Sequence, residues 1–171
     1  MSTAAYYIGI DNGQSGSVGI IGPDGVAYES IPTQDYLHYG KKGTISQRLD
    51  RAGLSNLLPH FSAPGPWVGY ANIHIYIERP FSGKFINAVV PAHRFFEATI
   101  ICLEDLQLGY TVVDSREWQA KMLGNVKGSA NLKKASLLRG LQLYPQLAAS
   151  IKSQGDADGL LIAHYFANRS C

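Results

Sequence analysis

Three acidic residues, far apart in the sequence, each lie at the boundary of an apolar segment. Asp11 and Glu78 each end a strand-like apolar run, and Asp158 begins another apolar run. A carboxylate beside a buried segment is costly to desolvate unless it is paired or binds a metal. Three carboxylates in such positions therefore predict one shared cation site.

Five apolar runs predict the strands that carry two of these carboxylates. The first three runs are separated by turns rich in Gly and Asn, which is typical of an antiparallel meander. In the fourth run Ile73, Ile75 and Ile77 alternate with polar or aromatic residues, as in a strand with two different faces. The predicted strands cover residues 6–10, 17–21, 26–31, 72–78 and 110–113.

Helical spacing of apolar residues appears between and after the later strands. We predict that Gly109 closes the second helix and that Asp114 or Ser115 caps the third. The predicted helices cover residues 46–61, 88–108, 115–122, 132–143 and 156–168, and the predicted loops cover residues 32–43 and 124–129.

This order of elements predicts an α/β fold with a mixed five-stranded sheet, formed by a three-strand antiparallel meander plus two parallel strands and flanked by helices. In such a sheet strands one and four are neighbours, so Asp11 and Glu78 are expected to lie close together. The last helix would bring Asp158 over the same edge. We expect residues 1–171 to form a single domain, since the chain is too short for two full domains with a cleft between them.

The charge of the chain is unevenly distributed. The net charge is only +2, yet residues 115–152 carry seven basic residues against the single acidic residue Glu117. A local excess of this kind favours a polyanionic partner.

The two cysteines, Cys102 and Cys171, have neither a plausible pairing nor the spacing of metal ligands. A reducing intracellular setting is therefore expected. The sequence shows no targeting segment and no uncharged apolar stretch long enough to span a bilayer. We expect a soluble protein with no membrane partner.

Three motifs resemble a known family. Residues 8–13 (IGIDNG), 75–80 (IYIERP) and 156–163 (DADGLLIA) are similar, in the same order, to the acidic motifs of RuvC-type Holliday junction resolvases, including their phage and plant organellar relatives. The resemblance implies an RNase H-like fold and a homodimer. It also implies cutting of two opposing strands of a four-way DNA junction, an intermediate of recombination and repair, with Mg²⁺, for which Mn²⁺ would substitute.

By this resemblance Asp11, Glu78 and Asp158 are the catalytic, metal-binding carboxylates. Their residue type fits hard cations, which prefer oxygen ligands. Asp156 is also a candidate ligand, although it lies only two residues before Asp158. It reaches the site only if it lies just outside the last helix, so metal ligand and helix cap remain two interpretations.

The resemblance also implies residues that contact DNA. Phe81 lies in the loop after Glu78, where these resolvases place an aromatic residue that stacks at the junction centre. Lys84 in the same loop is a candidate phosphate contact. The segment after strand five resembles the basic loop and helix of the family, with candidate phosphate contacts at Lys121, Lys127, Lys133 and Lys134.

Structural alternatives exist for each of these residues. Asp11 precedes Asn-Gly and would serve as a turn former, and Glu78 would form an ion pair with Arg79 or Arg94. Phe81 would be a core residue under its loop. The lysines, including Lys84, would form an ordinary solvated face.

Two other functions remain alternatives. One is another RNase H-like nuclease, acting on RNA·DNA hybrids or on other branched DNA, and the second is a catalytically silent junction-binding relative. An ATPase related to sugar kinases is disfavoured because it needs a second domain. The loop predicted for residues 32–43 has no assigned role.

Overall fold

The computed structural model describes residues 5–40, 42–58, 72–80 and 86–169. Seven strands and six helices lie within these ranges. The strands are β1 (Tyr6–Asp11), β2 (Ser17–Gly22), β3 (Gly25–Ser30), β4 (Thr33–Leu37), β5 (Ile45–Leu49), β6 (Ile73–Glu78) and β7 (Tyr110–Val113). The helices are α1 (Arg51–Leu57), α2 (Ile86–Asp105), α3 (Ser115–Met122), α4 (Ser129–Leu143), α5 (Ala148–Gln154) and α6 (Asp158–Arg169).

Five strands form the central sheet in the order β3-β2-β1-β6-β7. β1 pairs antiparallel with β2, and β2 pairs antiparallel with β3. β1 pairs parallel with β6, and β6 pairs parallel with β7. The predicted mixed sheet is therefore confirmed. Because Ile10 pairs with Ile77, the carboxyl ends of β1 and β6 lie at one edge.

Each face of the sheet is covered by a separate hydrophobic core. On one face the buried residues of β1 and β6 pack against α1 and α2, with Leu54, Phe95 and Leu103 among the buried side chains. On the opposite face α3 and α6 contribute Trp118 and Leu160 to the second core. The helices thus flank the sheet as the order of elements predicts.

Glycines let α6 lie unusually close to the sheet. A Cβ atom on Gly9 of β1 would come within 2.2 Å of the Gly159 carbonyl oxygen, and one on Gly19 of β2 within 2.3 Å of Leu160 Cα. Only residues without a side chain allow this contact between helix and strand backbones. The first turn of α6, which carries Asp158, is thereby held against the ends of β1 and β2.

Residues 32–49 differ from the prediction. Instead of a loop followed by a helix from residue 46, β4 and β5 form an antiparallel hairpin in which Thr33 pairs with Leu49. The helix begins only at Arg51, with Asp50 in extended conformation before it. Both faces of the hairpin are largely exposed. Its polar residues therefore lack the alternation of apolar and polar residues that predicts a strand.

Helix α2 ends earlier than predicted. Gln107, with a φ of 56°, adopts the left-handed conformation that was expected of Gly109. By length and composition alone α2 could cross a membrane. It nevertheless buries Phe95 and Leu103 in the core, as a helix packed on a sheet does.

The boundaries of the remaining helices differ only slightly from the predicted ones. α3 spans the predicted residues, and Asp114 caps it by accepting a 2.9 Å hydrogen bond from the backbone N–H of Arg116. Helix α5 and the 3-10 turn Pro145–Leu147 were not predicted. Seven residues are too few to show a helical repeat reliably.

Candidate metal centre

The four predicted carboxylates come from three elements that meet at one edge of the sheet. Asp11 is the last residue of β1 and Glu78 the last residue of β6, so the parallel pairing of these strands places them side by side. Asp158 is the first residue of α6, and Asp156 precedes the helix by two residues. The predicted convergence of Asp11, Glu78 and Asp158 is thus found in the structure.

Three of the carboxylates form a tight cluster. One carboxylate oxygen from each of Asp11, Asp156 and Asp158 lies within 4.8 Å of the other two. Asp156 is only 1% exposed, and Asp11 and Asp158 are partly buried. Glu78 lies outside this tight group but close enough to act on Asp11 electrostatically.

Burial and mutual repulsion raise the pKa values of Asp11, Glu78 and Asp158. Burial, followed by the charges of Asp158, Glu78 and Asp156, raises the pKa of Asp11 well above its usual range. Burial raises the pKa of Glu78 to about 7, with the charges of Asp158 and Asp114 adding to the effect. Burial also raises the pKa of Asp158 to about 6.

This donor set suits a divalent cation such as Mg²⁺. All the converging ligand atoms are carboxylate oxygens, which hard cations prefer. The clustered oxygens are close enough for one cation to contact more than one of them. A bound cation would also offset the repulsion between these carboxylates, and Asp11, Asp156, Asp158 and Glu78 are the residues that would hold it.

Trp118 fixes the carboxylate of Glu78. Its indole N–H donates a 2.6 Å hydrogen bond to Glu78 Oε2, and its side chain is completely buried. The amide of Asn12 donates a 3.2 Å hydrogen bond to the Glu78 backbone carbonyl. Both contacts orient the end of β6 towards the cluster. The sequence signal for Trp118 was only its position in a short amphipathic helix.

Ser136 connects α4 to Asp158. Its buried hydroxyl donates a hydrogen bond to Asp158 Oδ1 and accepts one of 3.0 Å from the backbone N–H of Ala157. The hydroxyl of Ser17 likewise accepts a 3.1 Å hydrogen bond from the Gly159 N–H. The two serines therefore tie the first turn of α6 to α4 and β2. No motif in the sequence pointed to them.

Asp156 lies just outside α6, with one carboxylate oxygen in the cluster. Its Oδ1 accepts a 3.4 Å hydrogen bond from the Asp158 N–H, as a cap would. The hydroxyl of Tyr28 donates to the Asp156 backbone carbonyl at 2.9 Å and approaches Oδ1 at 3.3 Å. Asp156 Oδ2 points towards Lys133, whose Nζ lies 3.6 Å away.

The predicted DNA contacts divide into three groups. Lys133 reaches the acidic cluster through Asp156. Lys121, Lys127 and Lys134 are exposed. Among the described residues, no hydrogen bond or ion pair joins them to the cluster. Phe81 and Lys84 lie outside the described residues.

The ion pair proposed as an alternative for Glu78 is absent from the described part of the chain. Arg79 pairs instead with Asp114, and Arg94 donates a 2.9 Å hydrogen bond to the Tyr36 hydroxyl. Asp11 is the last residue of β1, and one of its carboxylate oxygens lies within the cluster.

Two solved structures have a similar fold. A structure of Thermus thermophilus RuvC in complex with a Holliday junction substrate matches with a TM-score of 0.54 and 11% identity, over 96% of this chain and 96% of that chain. The chain has a RuvC-like fold. A second Thermus thermophilus RuvC structure matches with a TM-score of 0.51, at the same identity and coverage.

The RuvC-like fold confirms the structural part of the resemblance seen in the three motifs. No family model and no curated protein sequence matches the chain. At 11% identity the likeness extends to the fold alone.

Proposed function

We propose that the chain is a divalent-metal-dependent DNA endonuclease that resolves four-way junctions by paired, symmetric nicks. The observation that carries the proposal is the cluster of Asp11, Asp156 and Asp158, with Glu78 beside it, at one sheet edge of a RuvC-like fold. Phosphodiester hydrolysis needs charge neutralisation and an activated water, and a bound divalent cation supplies both.

The residues of the chain contribute ligands and their orientation. In the proposed reaction Asp11, Asp156, Asp158 and Glu78 would hold the cation, and the hydrogen bond from Trp118 would fix the Glu78 carboxylate for that role. A bound cation would lower the raised pKa values of Asp11, Glu78 and Asp158, so its binding would release protons. The cluster is therefore poised to bind a cation more tightly as pH rises.

The basic segment supplies the proposed contacts with the DNA backbone. Lys133 lies 3.6 Å from Asp156, so it is near both the cluster and the phosphate that the cluster would hold. The exposed side chains of Lys121 on α3, Lys127 in the loop after it and Lys134 on α4 add further positive charge to this segment. We propose that Phe81 and Lys84, in the loop after β6, contact the junction as the resemblance implies.

We further propose that residues 1–171 act as one domain and assemble as a homodimer inside the cell. The exposed apolar side chains of Val90 and Ile101 on α2, with Ala98 between them, offer a face for a second copy. Two copies would present two active sites to the two opposing strands of a junction. The buried free thiol of Cys102 is consistent with a reducing compartment.

The substrate preference tests the proposal. The purified chain would be incubated with Mg²⁺ and a mobile four-way junction, a linear duplex of the same sequence or an RNA·DNA hybrid. The proposal predicts selective cutting of the junction, with nicks at symmetric positions on opposing strands. Preference for the hybrid would indicate the other type of RNase H-like nuclease, and tight junction binding without any cutting would indicate a silent binding protein.

A further inference from the structure

The β4–β5 hairpin and α2 enclose a cleft that the proposed active site does not use. The cleft has a volume of about 630 Å³ and lies between the hairpin and the first half of α2. The central residues of the cleft are Tyr36 and Arg48 from the hairpin and Arg94 from α2. None of the described residues that line it carries a carboxylate.

Two arginines converge on one aromatic ring in this cleft. The guanidinium carbon of Arg94 lies 5.3 Å from the centroid of the Tyr36 ring, and that of Arg48 lies 6.0 Å from it. Arg94 also donates a 2.9 Å hydrogen bond to the Tyr36 hydroxyl. Both guanidinium groups therefore lie beside one aromatic ring, and all three side chains line the cleft.

These two positive charges are not neutralised by the described part of the chain. No ion pair joins a described carboxylate to Arg48 or Arg94, whereas Arg51, Arg79 and Arg169 each have one. The hairpin carboxylate of Asp35 accepts a hydrogen bond from Gln47 instead. Neighbouring cations without a counter-charge favour an anionic ligand, and planar guanidinium groups match phosphate oxygens well.

The cleft borders the turn that follows Asp11. Gln14 lines the cleft and lies in the turn after β1, three residues after Asp11. Its amide donates a 2.9 Å hydrogen bond to Gln47 Oε1, which ties the hairpin to that turn. A polymer held in the cleft would therefore pass the turn that follows Asp11.

We propose that this cleft binds the phosphate backbone of a DNA strand adjacent to the junction, with Arg48 and Arg94 as the phosphate contacts. The inference rests on the proposed function and gives the hairpin a role. A nucleic acid fits better than a small anion because Tyr39, which is 84% exposed beside Tyr36, offers an aromatic face for a base.

Junction binding tests the proposal in the Asp11→Asn background, where cutting does not interfere. Fluorescence anisotropy would be measured over a range of salt concentrations for the parent, Arg48→Gln/Arg94→Gln and Arg48→Lys/Arg94→Lys. A matched control is Arg51→Gln, which removes one exposed arginine that pairs with Asp105 outside the cleft. Circular dichroism and thermal unfolding would confirm that each variant is folded.

The double Gln variant is expected to bind the junction about 10-fold more weakly and to lower the slope of log affinity against log salt by about 2, one for each lost phosphate contact. The double Lys variant should retain the slope, and Arg51→Gln should bind as the parent does. Parent-like binding by the double Gln variant, or an equal loss in Arg51→Gln, would overturn the inference alone. A parent that binds no junction would overturn the proposed function as well.

Discussion

The indole N–H of Trp118 donates a 2.6 Å hydrogen bond to Oε2 of Glu78, joining helix α3 to the end of strand β6. Trp118 is fully buried, so this N–H has no access to water. Donors behind metal-binding carboxylates fix the orientation of the ligand, and their loss typically costs 10- to 100-fold in affinity or activity. Trp118 is thus a positioning residue for the proposed metal site.

Replacing Trp118 with Phe keeps an aromatic ring but removes the donor. We expect Mn²⁺ affinity, measured by calorimetry, to fall by about 10- to 100-fold. The Glu78→Gln variant tests whether the effect passes through the carboxylate: adding Trp118→Phe to it should cause little further loss. Equal losses of Mn²⁺ affinity in both backgrounds would show that Trp118 acts only by packing.

Asp11→Asn should stabilise the chain when no divalent cation is present. Because the folded state raises the pKa of Asp11, this carboxyl contributes most below its usual pKa of 3.8, and that contribution is lost as pH rises. An amide carries no charge to desolvate. We therefore expect Asp11→Asn to melt higher than the native chain in EDTA, by a margin that grows from pH 5 to pH 8.

Scanning calorimetry at several pH values provides the check, with Glu29→Gln on β3 as a control for removing an exposed carboxylate. Addition of Mg²⁺ should raise the melting temperature of the native chain, since ligands that bind only the folded state stabilise it. The same addition should barely affect Asp11→Asn. An Asp11→Asn variant that is less stable than the native chain at pH 8 in EDTA would contradict the described electrostatics.

Ser136→Ala should damage both stability and the site. The backbone N–H of Ala157 would lose its 3.0 Å acceptor in a buried position, which costs about 1–3 kcal/mol. Since the Ser136 hydroxyl also lowers the pKa of Asp158, its removal should raise that pKa above about 6. Metal binding should then require a higher pH, and a titration of Mn²⁺ affinity against pH would measure the shift. Ser136→Thr, which keeps the hydroxyl, is the matched variant for the pH effect.

Gly9→Ala should push α6 away from the sheet. The added methyl would meet the α6 backbone at Gly159 and Ala163, at 2.2 and 2.5 Å, so neither atom can move aside easily. Overpacking of this kind costs about 1–3 kcal/mol or more. Urea unfolding should show this loss, while Gly13→Ala, whose methyl would meet no atom within 4 Å, should change stability by less than about 0.5 kcal/mol.

The sequence predicted those parts of the fold that follow from hydrophobic periodicity. The alternation through Ile73, Ile75 and Ile77 located β6, and its parallel pairing with β1 followed from the order of elements. The convergence of Asp11, Glu78 and Asp158 then depended only on where these elements end. These features depend only on local patterns and on the order of the elements, so they can be predicted from the sequence.

Other features depend on contacts that no local pattern displays. The hairpin of β4 and β5 has exposed polar faces, so its strands lack the alternation that would distinguish them from a loop. Trp118 and Ser136 meet their partners across 40 and 22 residues of sequence. Their roles arise from the packing of α3 and α4 beside α6, which spacing alone does not reveal.

The most direct test of the central claim is cutting of a labelled four-way junction by the native chain and by Asp11→Asn, each with Mg²⁺ or with EDTA, alongside junction binding by both. We predict nicking by the native chain only with Mg²⁺, and no nicking by Asp11→Asn although it binds the junction. Nicking that persists in EDTA, or in Asp11→Asn, would contradict the assignment of the carboxylate cluster as a metal-dependent active site.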